Sequence, residues 1–257
     1  YAVSIALVGR DGSPLIGVVG AGLLGTSIID LVLSEIDDAQ GRFVEANPVH
    51  SKVVAERFSR AEPCAKLDYL AACDLVLVCT PPGVTAPIIT ELLNQQDSAA
   101  LIVDTASTKR AIMADVLGSG ADTARYVGGH PLAGGNRLGP SDGGAHKLSG
   151  ATFILSPHGA LPQDNYRRAE LFLERLGFQV LEMAADRHDQ MLSLTSHLPH
   201  LIAYAYTSTL DQDSGLDDAE MAKLASRSTK TMAKFASEHG QMWPDVFRGN
   251  DAPAGWL

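Results

Sequence analysis

Cysteine is nearly absent from this chain of 257 residues: only Cys64, Cys73 and Cys79 occur, and none has CxxC spacing. That excludes a disulfide framework and a cysteine zinc site, and it fits a reducing compartment. Positive charge is also scarce. Lys and Arg number 20 against 30 Asp and Glu, a net charge of −10, and no basic cluster stands out. A nucleic-acid partner needs such a face to displace counterions, so that class is set aside. Long apolar runs are missing too, none approaching the roughly 18 residues that span a bilayer. The first residues, Tyr1-Ala-Val-Ser-Ile-Ala-Leu, lack the basic n-region of a secretory signal. The expectation is a cytoplasmic protein that binds neither nucleic acid nor membrane. With 46% hydrophobic residues it can bury a core of one large or two smaller domains.

What is present is a strand–helix alternation. Short β-rich runs fall at Leu15–Val19, Arg42–Glu45, Leu75–Cys79, Leu101–Asp104, Arg125–Val127, Thr152–Leu155 and Gln179–Glu182. Helix-like segments lie near Leu23–Ile36, Val49–Arg60, Val84–Asn94, Thr108–Leu117 and Asn165–Leu176. Runs apolar on both faces predict a parallel sheet covered by helices on both sides, with ligands at the carboxyl ends of its strands. From His130 to Gly150 six glycines interrupt the pattern, and a loop of that length reads as functional. After Ala184 the strand signal stops, and Asp186–Leu210 and Leu216–Glu238 read as two long helices. We therefore expect residues 1–184 to form a Rossmann-type α/β domain and 185–257 an all-α domain. The stretch Leu198–Tyr206 is apolar nearly all round, which calls for cover by a second subunit and predicts a homodimer. Tyr1–Gly9 alternates and precedes an Asp11-Gly12 turn, so it reads as an extra hairpin strand or an interaction segment.

Gly20-Ala-Gly22-Leu23-Leu24-Gly25 follows the first strand and opens a helix. Gly20 permits the tight turn, Gly22 lets backbone approach a pyrophosphate, and Gly25 allows close helix–strand packing, with helix N–H groups meeting the negative charge. Glu45 ends the second strand 20 residues after Gly25, the spacing of a carboxylate that accepts from the adenosine ribose. It would repel a 2′-phosphate, and no Arg follows it directly, so NAD is preferred to NADP. Thr80, Pro81 and Pro82 close the strand Leu75–Cys79 beside that site; they serve as a strand cap, a wall for the nicotinamide ribose, or both.

A second cluster comprises Asp104-Thr105-Ala-Ser107-Thr108-Lys109, Gly128-Gly129-His130-Pro131-Leu132-Ala133-Gly134, and Ser196-His197-Leu198-Pro199-His200. With the nucleotide site and Met242-Trp243-Pro-Asp245-Val-Phe247, these resemble the prephenate/arogenate dehydrogenase family from about Leu15 to Asn250. The resemblance implies oxidative decarboxylation of a cyclohexadienyl acid, prephenate or a close relative, with hydride transfer to NAD in tyrosine biosynthesis. It makes His130 the base for the ring hydroxyl and places Ser107 beside that hydroxyl. It assigns His200, His197, Arg227 and Asn136 to the substrate. Most have a plainer account: His130 as a structural histidine beside a proline in a loop, Ser107 as a helix cap, His197 and His200 as a buried satisfied pair, Arg227 as a surface residue. The i, i+3 histidines would suit a metal, but no carboxylate set completes one, so no metal is expected.

Two positions and one segment depart from the family pattern. Its second Arg is Thr231, its Asp is Ser228, and Gly134-Gly135-Asn136-Arg137-Leu138 replaces the usual Gly-Thr-Glu-x-Ser. These border the substrate and leave arogenate or an amino-substituted prephenate open. Two other readings stand beside this one: a hydroxyacid dehydrogenase using Lys223 or Lys230, and a non-catalytic dinucleotide sensor.

Overall fold

A computed structural model describes residues 13–133, 139–212, 218–237 and 242–250. The expected strand at Tyr1–Gly9 and the candidate Asn136 lie outside these. Strand β1 (Leu15–Val19) leads through α1 (Leu23–Glu35) to β2 (Gln40–Val44), then α2 (Pro48–Arg57) and a short β3 (Ala61–Pro63). Next come β4 (Leu75–Val78), α3 (Pro82–Leu93), β5 (Leu101–Asp104), α4 (Arg110–Gly118) and β6 (Tyr126–Pro131). Strand β7 (Thr152–Ser156), α5 (Gln163–Arg175) and β8 (Gln179–Glu182) complete one eight-stranded sheet, ordered β3-β2-β1-β4-β5-β6-β7-β8. The order reverses between β1 and β4, which opens the ligand crevice at their carboxyl ends.

The strands' period of two sorts side chains onto the two faces. Ile16, Val18, Leu75, Leu77, Leu101 and Val103 meet Ile28, Leu31, Val32, Phe172 and Leu173 from α1 and α5. Val19, Val76, Val78 and Ile102 meet Ile89, Leu92, Ile112 and Met113 from α3 and α4. Each such aliphatic side chain contributes about 1.5–3 kcal/mol when fully buried.

Two features depart from the sequence reading of the sheet. Strand β3 was too short and too polar to register in the pattern. Strand β7 runs antiparallel to β6, pairing Gly128 with Ser156 and Pro131 with Phe153. The connection explains the direction. A parallel return needs a crossover to the far edge, whereas this segment stays at the carboxyl edge, strapped to α1 and α2. Gly144 N–H donates to Ser27 Oγ (2.9 Å), Ala145 N–H to Asp30 Oδ2 (2.9 Å), and Arg57 Nη1 to the Gly143 carbonyl (2.7 Å). The described part of the glycine-rich loop is thus a docked strap.

The helical half is more broken than its periodicity indicates. The expected helix Asp186–Leu210 is α6 (Ala185–Leu192), a π turn (Ser193–His197) and α7 (Leu198–Gln212). The expected Leu216–Glu238 splits into α8 (Asp218–Leu224) and α9 (Arg227–Ala236). Ser226 caps the second piece by accepting from Thr229 N–H, which stops the first. A last helix, α10 (Trp243–Gly249), packs on α3 and α4. Among the described residues Leu194, Ile202 and Leu224 are 53%, 39% and 83% exposed. Among the described residues no helix is long and apolar enough to cross a membrane.

Candidate active site

The glycine turn has the geometry a dinucleotide needs. Gly20 sits at φ 86°, and a Cβ there would lie 2.8 Å from the Cys79 carbonyl. A Cβ on Gly25 would reach 2.0 Å from the Gly20 carbonyl, so helix and strand meet only with glycine. Nothing approaches a Cβ position on Gly22, and no side chain caps α1. The first turn of α1, at Leu23 and Leu24, thus has no side-chain cap and open space beside Gly22, an arrangement that suits a pyrophosphate. Glu45 Oε2 accepts from Ala21 N–H (2.7 Å), so the carboxylate stands against the turn. Across the crevice, Thr80 Oγ1 lies 3.0 Å from Thr85 Oγ1, while Pro81 and Pro82 start α3.

The chemical residues converge at the same edge from two halves of the chain. Ser107 follows the end of β5, and its buried Oγ has no hydrogen-bond partner among the described residues. On the neighbouring strand Gly129 must be glycine, because a Cβ would lie 2.3 Å from the Asp104 carbonyl. That close approach sets His130 beside the Ser107 turn. His130 Nδ1 lies 2.8 Å from His188 Nε2, and His188 Nδ1 lies 2.7 Å from Asp189 Oδ1. Burial first, then the charges of His188, Lys109 and His197, hold the His130 imidazole well below its usual pKa, so it is neutral near pH 7. Asp189 also accepts from the N–H groups of Lys109 (2.8 Å) and Arg110 (2.9 Å) at the start of α4.

Below them lies a closed polar cluster. Lys109 Nζ is ion-paired with Asp104 Oδ1, and Asp104 Oδ2 accepts from Tyr126 O–H (2.8 Å). Burial lowers the Lys109 pKa, with Asp104 opposing. On the helical side, Asn250 Nδ2 donates to the Asp189 carbonyl (2.8 Å) and lies 3.2 Å from His197 Nδ1. Burial also lowers His197, to about 4. Trp243 stacks on His200 with ring centroids 3.9 Å apart, and its buried Nε1 has no partner among the described residues.

The structure thus brings Ser107, His130 and His197 to one region, with His200 against Trp243. Arg227 stands on the exposed first turn of α9, and Thr231 Oγ1 donates back to its carbonyl (3.0 Å). Sequence reasoning passed over His188, Asp189 and Asn250. A polar pair at a helix start reads as surface, and only its proximity to the Ser196–His200 motif hinted otherwise. No group of three or more His, Cys, Asp or Glu residues gathers as metal ligands among the described residues.

Comparison with known proteins gives two domain matches. Residues 45–182 match the family described as prephenate dehydrogenase, nucleotide-binding domain, and residues 184–254 match prephenate dehydrogenase, dimerization domain. Cyclohexadienyl dehydrogenase of Zymomonas mobilis is 28% identical over 187 residues, covering 73% of this chain and 63% of that protein. Prephenate dehydrogenase of Aquifex aeolicus, solved with hydroxyphenyl propionate and NAD⁺, superposes with a TM-score of 0.85 at 23% identity, covering 95% of this chain and 85% of that one. Arogenate dehydrogenase of Synechocystis gives 0.76 at 22% identity, covering 93% and 84%. The chain spans 47–64% of the length of the curated relatives it matches.

Proposed function

The chain belongs to the prephenate dehydrogenase family, and from that premise we propose that it oxidises and decarboxylates prephenate to 4-hydroxyphenylpyruvate and CO2, with NAD as partner. The observation that carries the reading is a neutral His130 on β6 and, just past the end of the neighbouring β5, a buried Ser107 Oγ with no hydrogen-bond partner among the described residues. NAD, when bound, supplies the hydride acceptor. The cradle of Gly20, Gly22, Leu23, Leu24 and Gly25 would hold its pyrophosphate, Glu45 a ribose, and Thr80–Pro82 the wall opposite.

The chain's own part is proton handling and orientation. His130 takes the ring hydroxyl proton as the carbinol carbon is oxidised, and a neutral imidazole is ready for this at pH 7. Ser107 bonds the same oxygen and fixes the ring against the cradle. His197 and His200 border the rest of the substrate, and Arg227 meets a carboxylate, for which a guanidinium fork is suited. Loss of CO2 from the opposite ring carbon makes the ring aromatic and drives the step.

The helices after Ala184 pair two copies through the face of Leu194, Ile202 and Leu224, giving a homodimer. A panel of prephenate, arogenate and amino-substituted prephenate, each with NAD⁺ and NADP⁺ and followed by reduced-nicotinamide absorbance, tests the reading. Turnover of prephenate with NAD⁺ is the expected result. Faster turnover of arogenate moves the substrate assignment, for which Thr231 and Ser228 are the motivating positions, and turnover of none overturns the activity.

A further inference from the structure

His188 and Asp189 are buried against the site, yet the mechanism above uses neither. We infer that they are positioning residues: the Asp189–His188 pair holds the His130 ring with its proton on Nδ1, leaving Nε2 as the atom that accepts the substrate proton. The inference rests on His130 being the base and specifies which nitrogen acts.

The argument runs outward from the carboxylate. Burial opposes ionisation of Asp189, but hydrogen bonds from His188 and from the backbone N–H groups of Lys109 and Arg110 hold its pKa below the ordinary value. An ionised carboxylate only accepts, so His188 Nδ1, 2.7 Å away, donates. A neutral imidazole that donates from Nδ1 has a lone pair on Nε2. Across the 2.8 Å contact, His130 Nδ1 must then supply the proton. Its own lone pair is thereby assigned to Nε2.

The opposite assignment would need a protonated His188. That ring is fully buried, and the groups facing His130 from other elements are already cationic or become so on protonation: Lys109 before α4 and His197 in the π turn. A protonated His188 would place an extra proton in a chain of contacts whose hydrogen bonds are complete with neutral rings. The chosen arrangement satisfies every nitrogen in the chain of contacts without one.

Asp189 is held independently of His188, by the two N–H groups that follow the Ser107 turn. One carboxylate therefore sets the orientation of the base and anchors the segment carrying its neighbour. When His130 takes up the substrate proton, the new charge lies one hydrogen-bonded ring from that carboxylate. A carboxylate behind a catalytic histidine stabilises an imidazolium in the same manner.

The test reads the tautomer directly, on the full chain with ¹⁵N-labelled histidine, using long-range ¹H–¹⁵N spectra near neutral pH and His130→Asn to assign the signals. The native ring should show a protonated Nδ1 and a bare Nε2. His188→Leu should move the population toward protonated Nε2 and lower kcat on the order of 10²-fold. NAD⁺ affinity and the KM for prephenate should change little. His188→Gln, whose carbonyl can still accept from Nδ1–H, should recover most of that loss. A native ring protonated on Nε2 overturns the inference. So does a His188→Leu protein with an unchanged tautomer and near-native kcat. The native spectrum decides alone if His188→Leu does not fold. A native chain that turns over no cyclohexadienyl acid refutes the proposed activity, while the spectrum still judges the tautomer.

Discussion

At the scale of single residues, the site is defined by which groups stay uncharged. His130 and His197 are neutral in the folded chain and ordinary once unfolded, so the unfolded state binds more protons below pH 6.5. Stability should therefore rise with pH through the window from about 4 to 6.5 and be lost as pH falls through it. His197 alone accounts for up to roughly 3 kcal/mol at the bottom of that window. Asp189, lowered from 3.8, adds its loss only beneath it. Thermal melts across the range check this, and His197→Gln should lose less on acidification than the native chain. For the proposed chemistry, kcat/KM should climb through the lowered His130 pKa and already be level at neutral pH. His130→Asn keeps a polar group but no proton acceptor, so kcat should fall on the order of 10²–10⁴ with NAD⁺ binding intact. Near-native turnover in that variant would require another base. Glu45→Ala should narrow the preference for NAD⁺ over NADP⁺, and a native preference for NADP⁺ would remove Glu45 from its assigned role. Cys79, near the same edge, is no rival nucleophile: burial pushes its thiol up to about 12.

At the scale of elements, the glycine turn and the π turn show what a sequence can and cannot announce. The strand–turn–helix from Leu15 to Glu35 was legible because its chemistry is local. Gly25 answers to backbone five residues away and Gly20 to the end of the neighbouring strand, while Gly22 leaves open space. Gly25→Ala places a methyl 2.0 Å from the Gly20 carbonyl. Relief must come from moving α1 off β1, an overpacking cost of about 1–3 kcal/mol. A lower Tm and weakened NAD⁺ binding, measured by titration, are the expected results; an unchanged affinity would show that the cradle is not where the cofactor sits. The π turn Ser193–His197 left no such trace. One extra residue rotates everything beyond it by about 100°, so heptad-like spacing on either side looks continuous while the faces differ. That rotation is part of how His197 reaches Asn250 and His200 reaches Trp243.

For the molecule as a whole, the described helices after Ala184 leave Leu194, Ile202 and Leu224 exposed. Sedimentation at micromolar concentration should find a homodimer, and Leu224→Asp should shift it toward monomer with the sheet half still folded. A native monomer would contradict the pairing. The sequence by itself determined most of the sheet's strands and the glycine turn after β1, because alternation, strand ends and glycine sterics are written within short windows. Only the tertiary structure decided that β7 turns back, that the glycine-rich segment is strapped to α1, and that His188 and Asp189 stand behind His130. Those contacts join residues 58 and 80 positions apart, and no local pattern encodes a partner so far along the chain. Packing selects it, by closing every buried hydrogen bond that those polar groups would otherwise leave unmade.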